Sequence, residues 1–195
     1  TNLQLFNLDN YARTRIIGML PNTIRKLVIC FAKNIIIEKD LPNNLEKLIW
    51  ESSQLTKLPQ LPQSLLEIYI RDNLLEELPE LPEKLVELEC EYNSLRVLPR
   101  LNYNLCVLRC DNNMIEELPE LPKTLRHLHC GNNKLRKMPN LVGLELEHLV
   151  CDNNYLTSLP QLPQTLRLLN CSYNTELSYI SSLPIRLSML IYVNT

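Results

Sequence analysis

From Leu41 onward the chain repeats every twenty residues: LPNNLEKLIWESSQLTKLPQ is followed by LPQSLLEIYIRDNLLEELPE and then LPEKLVELECEYNSLRVLPR. One unit of this length is too short to bury its own apolar side, so units must stack, each packing on the two beside it. Residues that recur in every unit therefore belong to the scaffold. Function has to reside in the positions that vary.

Each unit is counted here from the Leu of its first Leu-Pro. Leu121, Leu125, Leu128, Cys130, Asn133, Leu135 and Met138 mark its apolar and polar landmarks. The eighth and tenth positions are apolar between outward seventh, ninth and eleventh positions, the period-two pattern of a short half-buried strand. Stacked in register, such strands form a parallel sheet at about 4.8 Å spacing. The bridge Leu118-Pro119-Glu120-Leu121-Pro122 cannot be helical, because proline fixes φ and holds the preceding residue extended. The return side of each unit is therefore predicted to be extended or polyproline-like, with almost no α-helix.

Two further positions read as interior. Asn73, Asn93, Asn113, Asn133, Asn154 and Asn174 share the thirteenth, where a carboxamide can satisfy the backbone of a turn leaving the strand. Ser53 stands there in an earlier unit, so the row starts weakly. Cys90, Cys110, Cys130, Cys151 and Cys171 share the tenth with Trp50, Ile70 and Tyr192, an exchange that marks a core slot. With seven cysteines in all, an odd number, the chain reads as carrying free thiols in a reducing, cytoplasmic compartment. Cys106, at the outward sixth position, is the more reactive thiol.

The unit LPxLPxxLxxLxCxxNxLxx resembles the short leucine-rich repeats of the bacterial effectors of the IpaH and YopM families, and those of giant-virus (mimivirus-like) repeat proteins. The likeness covers residues 20–195. It implies a right-handed leucine-rich-repeat solenoid, a β-rich horseshoe of the α/β class with its parallel sheet on the concave face. Its matching residues are scaffold ones, so function follows only as analogy. Effectors of the IpaH type carry a separate ubiquitin-ligase domain beyond the repeats. None is expected here, because the sequence closes inside a repeat, and Cys110-Asp111 and Cys151-Asp152 are repeat positions.

The expected layout is one continuous domain: residues 1–19 as an N-terminal cap, with Leu3, Leu5, Phe6 and Leu8 closing the first core layer, then about eight and a half units over 20–195. The unit at Leu141 needs one inserted residue near Val142-Gly143 to bring Leu149, Cys151 and Asn154 into line. A net charge of -2 argues against nucleic acid, and no apolar run approaches a membrane span. TNLQLFNLDN lacks the pattern of a signal peptide. No cofactor is expected. With three glycines, no phosphate-binding loop and no Ser-His-Asp set, no catalytic residue is expected either.

The outward positions are the candidates. Lys26, Lys47, Ile49 and Glu51 come first, then Glu67, Tyr69, Arg71, Glu87, Glu89 and Glu91 as a mainly acidic zone. Val107 aside, the rows continue with Arg109, Asp111, His127, His129, His148, Val150 and Asp152. Tyr92 and Tyr173 add flat amphipathic contacts of the kind found at hot spots. The expected function is a non-catalytic scaffold that binds a partner protein, in effector-like proteins a host protein, through Tyr69, Arg71, Glu87, Glu89, Glu91, Tyr92, Arg109, Asp111, His127, His129, His148 and Asp152. Charge reversal at Glu87, Glu89 and Glu91 is expected to abolish binding and leave folding intact. Alternatives are a substrate-recognition module for a separate ubiquitin ligase and a self-associating structural protein. The second rests on the terminal strand, with Met189, Ile191 and Val193 outward and no polar cap, which points to a homodimer. His127 and His148 should lie about 5 Å apart on adjacent strands. They offer a pH-sensitive patch or, with Asp111 or Asp152, a divalent-metal site; an open sheet encloses an ion poorly, so no metal is assigned.

Overall fold

In the computed structural model, residues 1–6, 14–16, 20–33, 35–37, 40–180 and 182–193 are described. Ten short strands form one parallel sheet, in the spatial order β1 (Asn2–Phe6), β3 (Lys26–Cys30), β5 (Lys47–Glu51), β6 (Glu67–Tyr69), β7 (Glu87–Glu89), β8 (Val107–Arg109), β9 (His127–His129), β10 (His148–Val150), β11 (Leu168–Asn170) and β12 (Met189–Ile191). Apart from the step from β1 to β3, each strand follows its neighbour by one coil. The described residues include no helix. A parallel return needs a crossover, and here the proline bridges supply an extended one.

Register follows the sequence period. Lys47, Glu67, Glu87, Val107 and His127 stand side by side at twenty-residue steps. His127 to His148 is a step of one more, so the insertion at Val142-Gly143 is absorbed on the return side and the strands stay aligned. Gly143 takes φ of 79° there, a conformation that costs glycine little. Most coils open with a tight turn in which the fifth residue's amide donates to the carbonyl of the second, as Leu45 does to Pro42 and Leu125 to Pro122.

The core is one continuous column of leucines. Leu45, Leu65, Leu85, Leu105, Leu125 and Leu166 at the fifth position have no solvent exposure, nor do Leu48, Ile68, Leu88, Leu108, Leu128, Leu149 and Leu169 at the eighth. Full burial of a leucine contributes about 1.5–3 kcal/mol. All seven cysteines are free. The five at the tenth position are fully buried, and burial pushes their thiols up from the ordinary range. Cys30 and Cys106 are only partly covered.

The thirteenth-position asparagines make the expected ladder. Asn113 Nδ2 lies within hydrogen-bond reach of the carbonyls of Cys110 and Asp111 in its own coil and donates at 3.0 Å to that of Cys90 in the coil before. Its Oδ1 accepts from the Leu95 amide at 3.0 Å. The pattern recurs from Asn73 to Asn174. Ser53 begins it on a smaller scale, its Oγ accepting from the Ala32 amide and donating to the Glu51 carbonyl.

Two features lay outside the sequence reading. Strand β1 is paired in the main sheet with β3, Leu3 opposite Leu27, and Leu3 packs partly on the core. Leu8 lies outside the described residues. On the return side, β2 (Thr14–Ile16) and β4 (Ile35–Ile37) form a second, two-stranded parallel sheet. The β-branched run Ile35-Ile36-Ile37, in a unit that lacks the second Leu-Pro, is the local reason.

Replacing Asn113 with Leu strands the Leu95 amide and removes the donor shared by three carbonyls, so a loss of about 1–3 kcal/mol is expected in denaturant unfolding. Unchanged stability would refute the ladder. In native protein, a disulfide-exchange reagent should label Cys106 and Cys30 first, with the five tenth-position thiols reacting only on unfolding. Fast labelling of all seven would show the column to be open.

Candidate functional site

Side chains at the seventh, ninth and eleventh positions leave the sheet on the face opposite the leucine column. Nearly all are half-buried, because neighbouring rows stand about 4.8 Å apart. They divide into two halves of different chemistry.

Over β5 to β8 the charges are occupied by one another. Lys47 Nζ pairs with Glu67 and lies 4.3 Å from the centre of the Tyr69 ring. The Tyr69 hydroxyl is 2.8 Å from Glu87 Oε2 and 3.0 Å from Glu67 Oε2. Burial and these two carboxylates push the phenol far above its usual range, so it stays a donor. Lys47, by hydrogen bonding, holds Glu67 below the usual carboxylate value. Arg71 reaches Glu51 at 2.9 Å and Glu89 at 3.4 Å, and Arg109 Nε lies 3.3 Å from the other oxygen of Glu89. That last contact is an ion pair without hydrogen-bond geometry, which leaves Nε buried and unbonded. Burial outweighs both guanidinium groups and raises the Glu89 carboxyl.

The expected acidic zone is therefore corrected. Glu67, Glu87 and Glu89 are engaged, while Glu89 and Glu91 are only 7% and 8% exposed. Glu91 Oε2 is buried without a hydrogen bond, and burial lifts its pKa to about 7. Reversing charge at Glu89 would place a cation between Arg71 and Arg109. The three-site reversal thus attacks folding as well as binding.

The eleventh row continues through Asp111, Gly131 and Asp152. Asp111 Oδ1 accepts the Gly131 amide at 2.8 Å, and burial raises this carboxyl to about 6 against that bond. A Cβ at residue 131 would lie 2.7 Å from Asp152 Oδ1 and 3.1 Å from Asp111 Oδ1, so with these carboxylates in place glycine is what this position admits.

Over β8 to β10 the imidazoles come together. His127 and His148 face each other across the strand pair, Nδ1 to Nδ1 at 3.2 Å, with rings edge to face and centroids 4.5 Å apart. Burial, then the neighbouring His148, lowers the pKa of His127. His129, opposite Arg109 and Val150, is lowered to about 4, mainly by burial and then by Arg109. Asp111 and Asp152 lie at Gly131 rather than completing a set with the imidazoles. Among the described residues no group of three or more His, Cys, Asp or Glu side chains is placed to hold a metal ion.

Tyr92 and Tyr173 are displaced from the expected face. Both sit at the twelfth position, on the turn leaving the strand, with φ of 54° and exposures of 61% and 50%. Phe31, Ser52, Asp72, Asn112, Asn132 and Asn153 occupy the same left-handed conformation in other coils. Asn and Asp tolerate it; an aromatic residue there is strained. The frequent Asn at this position was the available signal. Among the described residues β12 pairs with β11 alone, and Met189, Ile191 and Val193 are 50%, 41% and 42% exposed. Leu190 and Tyr192, expected inward from their places in the repeat, are each 42% exposed.

No protein-family model matches the chain, and no curated protein does. Solved structures do. YopM from Yersinia enterocolitica aligns with TM-score 0.85 at 32% identity, over 97% of this chain and 41% of that one. This is a leucine-rich-repeat solenoid. YopM from Yersinia pestis, described as a leucine-rich effector protein, aligns with TM-score 0.73 at 36% identity over 78% of this chain and 44% of that one. A Shigella effector leucine-rich-repeat domain gives TM-score 0.69 at 27% identity, covering 80% of this chain and 76% of that domain. The chain spans less than half the length of the two YopM structures. Its structural neighbours are thus effector leucine-rich-repeat proteins, as the repeat motif implied.

Glu91 sets a pH dependence whose sign is fixed. A carboxyl raised on folding favours the fold below its unfolded value, about 4.5, and that contribution is lost as pH rises to about 7. His129 acts oppositely: its contribution is present above about 6.5 and lost as pH falls toward about 4. Glu91→Gln should leave stability at about pH 4 nearly unchanged and raise it at about pH 8 by about 1–3 kcal/mol. Thermal unfolding at the two pH values checks this, and equal shifts at both would refute it.

Proposed function

We propose that this leucine-rich-repeat protein is a non-catalytic scaffold that binds a partner protein through the face of its parallel sheet. The strip from Glu87 to Asp152 is the contact surface, with Tyr69 and Tyr92 at its margins. The observation that carries the reading is the contrast between the halves of the face. Over β5 to β8 ion pairs fix the side chains to one another; over β8 to β10 the seventh and ninth rows hold Val107, Arg109, His127, His129, His148 and Val150, half-buried and with no carboxylate in those two rows, Asp111 and Asp152 lying in the eleventh. A leucine column that fixes the backbone means little ordering entropy is lost when such a surface is covered. Tyr92, held out from the rim, supplies an aromatic anchor.

Likeness to effector proteins supports a host protein as the partner, and the free thiols support a reducing compartment, the host cytoplasm. A second reading, self-association through β12, is favoured by the exposed apolar side chains of Met189, Ile191 and Val193. A light-scattering mass that stays at one chain at high concentration excludes it.

The test uses Val150→Arg and Tyr92→Ala, which leave the ion-pair network intact, and Val97→Arg, 63% exposed on the return side, as the control. Capture of a partner from host-cell lysate should fall about tenfold or more with each of the first two, as for loss of a hot-spot contact. It should be unchanged with the control. Loss only with the control would move the binding surface to the return side.

A further inference from the structure

We propose that His127, His148 and His129 form a proton-operated switch on the sheet face, an uncharged patch at neutral pH that turns cationic on acidification and drives the paired imidazoles apart. The parallel register puts His127 and His148 in the same row on adjacent strands, where neither can avoid the other. Their Nδ1 atoms are 3.2 Å apart. A contact between two ring nitrogens needs one N–H and one lone pair. It therefore survives with both rings neutral or with a single imidazolium. A second proton leaves two N–H groups facing each other, each on a positive ring, and the contact must open.

The surroundings offer little to neutralise that second charge. On β7, Glu87 accepts the Tyr69 hydroxyl and Glu89 is held by Arg71 and Arg109. On β8, Val107 stands beside His127 and the Arg109 guanidinium stands beside His129. Arg126, just before β9, shares Glu147 with Arg167, so the carboxylate nearest β10 is already engaged by two cations. On β11, Leu168 and Asn170 flank His148 and Val150 without charge. Asp111 and Asp152 sit over Gly131 at the other end of the strands. The depressed proton affinities of His127 and His129 agree with this geometry.

The consequence for binding rests on the sheet-face reading: a partner that covers this patch at neutral pH meets two or three positive charges in acid and is released. The test itself needs no partner, so it stands or fails apart from that reading. Imidazole resonances are followed by NMR from pH 8 to pH 4 in the parent, in His148→Val and in His127→Val; Val107 shows that this row already accepts valine. Backbone amide dispersion at each pH reports whether the fold persists. The expected result is a His127 midpoint that moves upward in His148→Val and a His129 midpoint that moves upward in His127→Val. Midpoints unchanged in both variants, with the fold intact, would overturn the switch.

Discussion

Everything on the sheet face depends on one carboxamide per coil. A turn leaving a parallel strand points carbonyls inward, where no water can reach them, and it must do so in every coil at the same depth. The row from Asn73 to Asn174 meets that demand by tying the carbonyls of two successive coils to one side chain and an amide of the earlier coil to the same group. Leucine burial supplies most of the favourable free energy, yet burial is non-directional and would tolerate a slipped stack. The carboxamide row is directional. It fixes each coil over the next, and thereby decides which outward residues become neighbours.

That neighbourhood is where chemistry emerges from spacing. Tyr69 against Glu87, Glu89 between two arginines and His127 against His148 are each made of residues about one coil apart in sequence. None would meet in a chain of different period. The same alignment places Gly131 between Asp111 and Asp152, where a methyl group would collide with a carboxylate.

Much of this architecture was legible in the residues themselves. The period specified the parallel sheet, the core leucines, the buried thiols, the asparagine ladder and the site of the Val142-Gly143 insertion, because those depend on pattern alone. The imidazole pair was also foreseeable, since row and strand suffice to place it. What pattern could not supply was the orientation of long side chains. Glu89 and Glu91 count as outward by position, but Glu89 folds down between two arginines and Glu91 is buried without a partner for Oε2, so neither presents an acidic surface. Tyr92 and Tyr173 were assigned to the face although they lie one residue past it, where the backbone turns left-handed. The second small sheet joins a strand that precedes the first unit to the Ile35-Ile36-Ile37 run of an irregular unit, where no neighbouring unit served as a guide.

Coil-to-coil register also bears on how the chain reaches its fold. The ladder's bonds close loops of 18 to 24 residues wherever along the chain they form. The entropy of closing such a loop is thus paid once per coil, and it does not grow with the number of coils. Each completed coil is a template for the next. Assembly is expected to start among the uniform central coils, where every tenth and thirteenth position is filled alike, and to run outward.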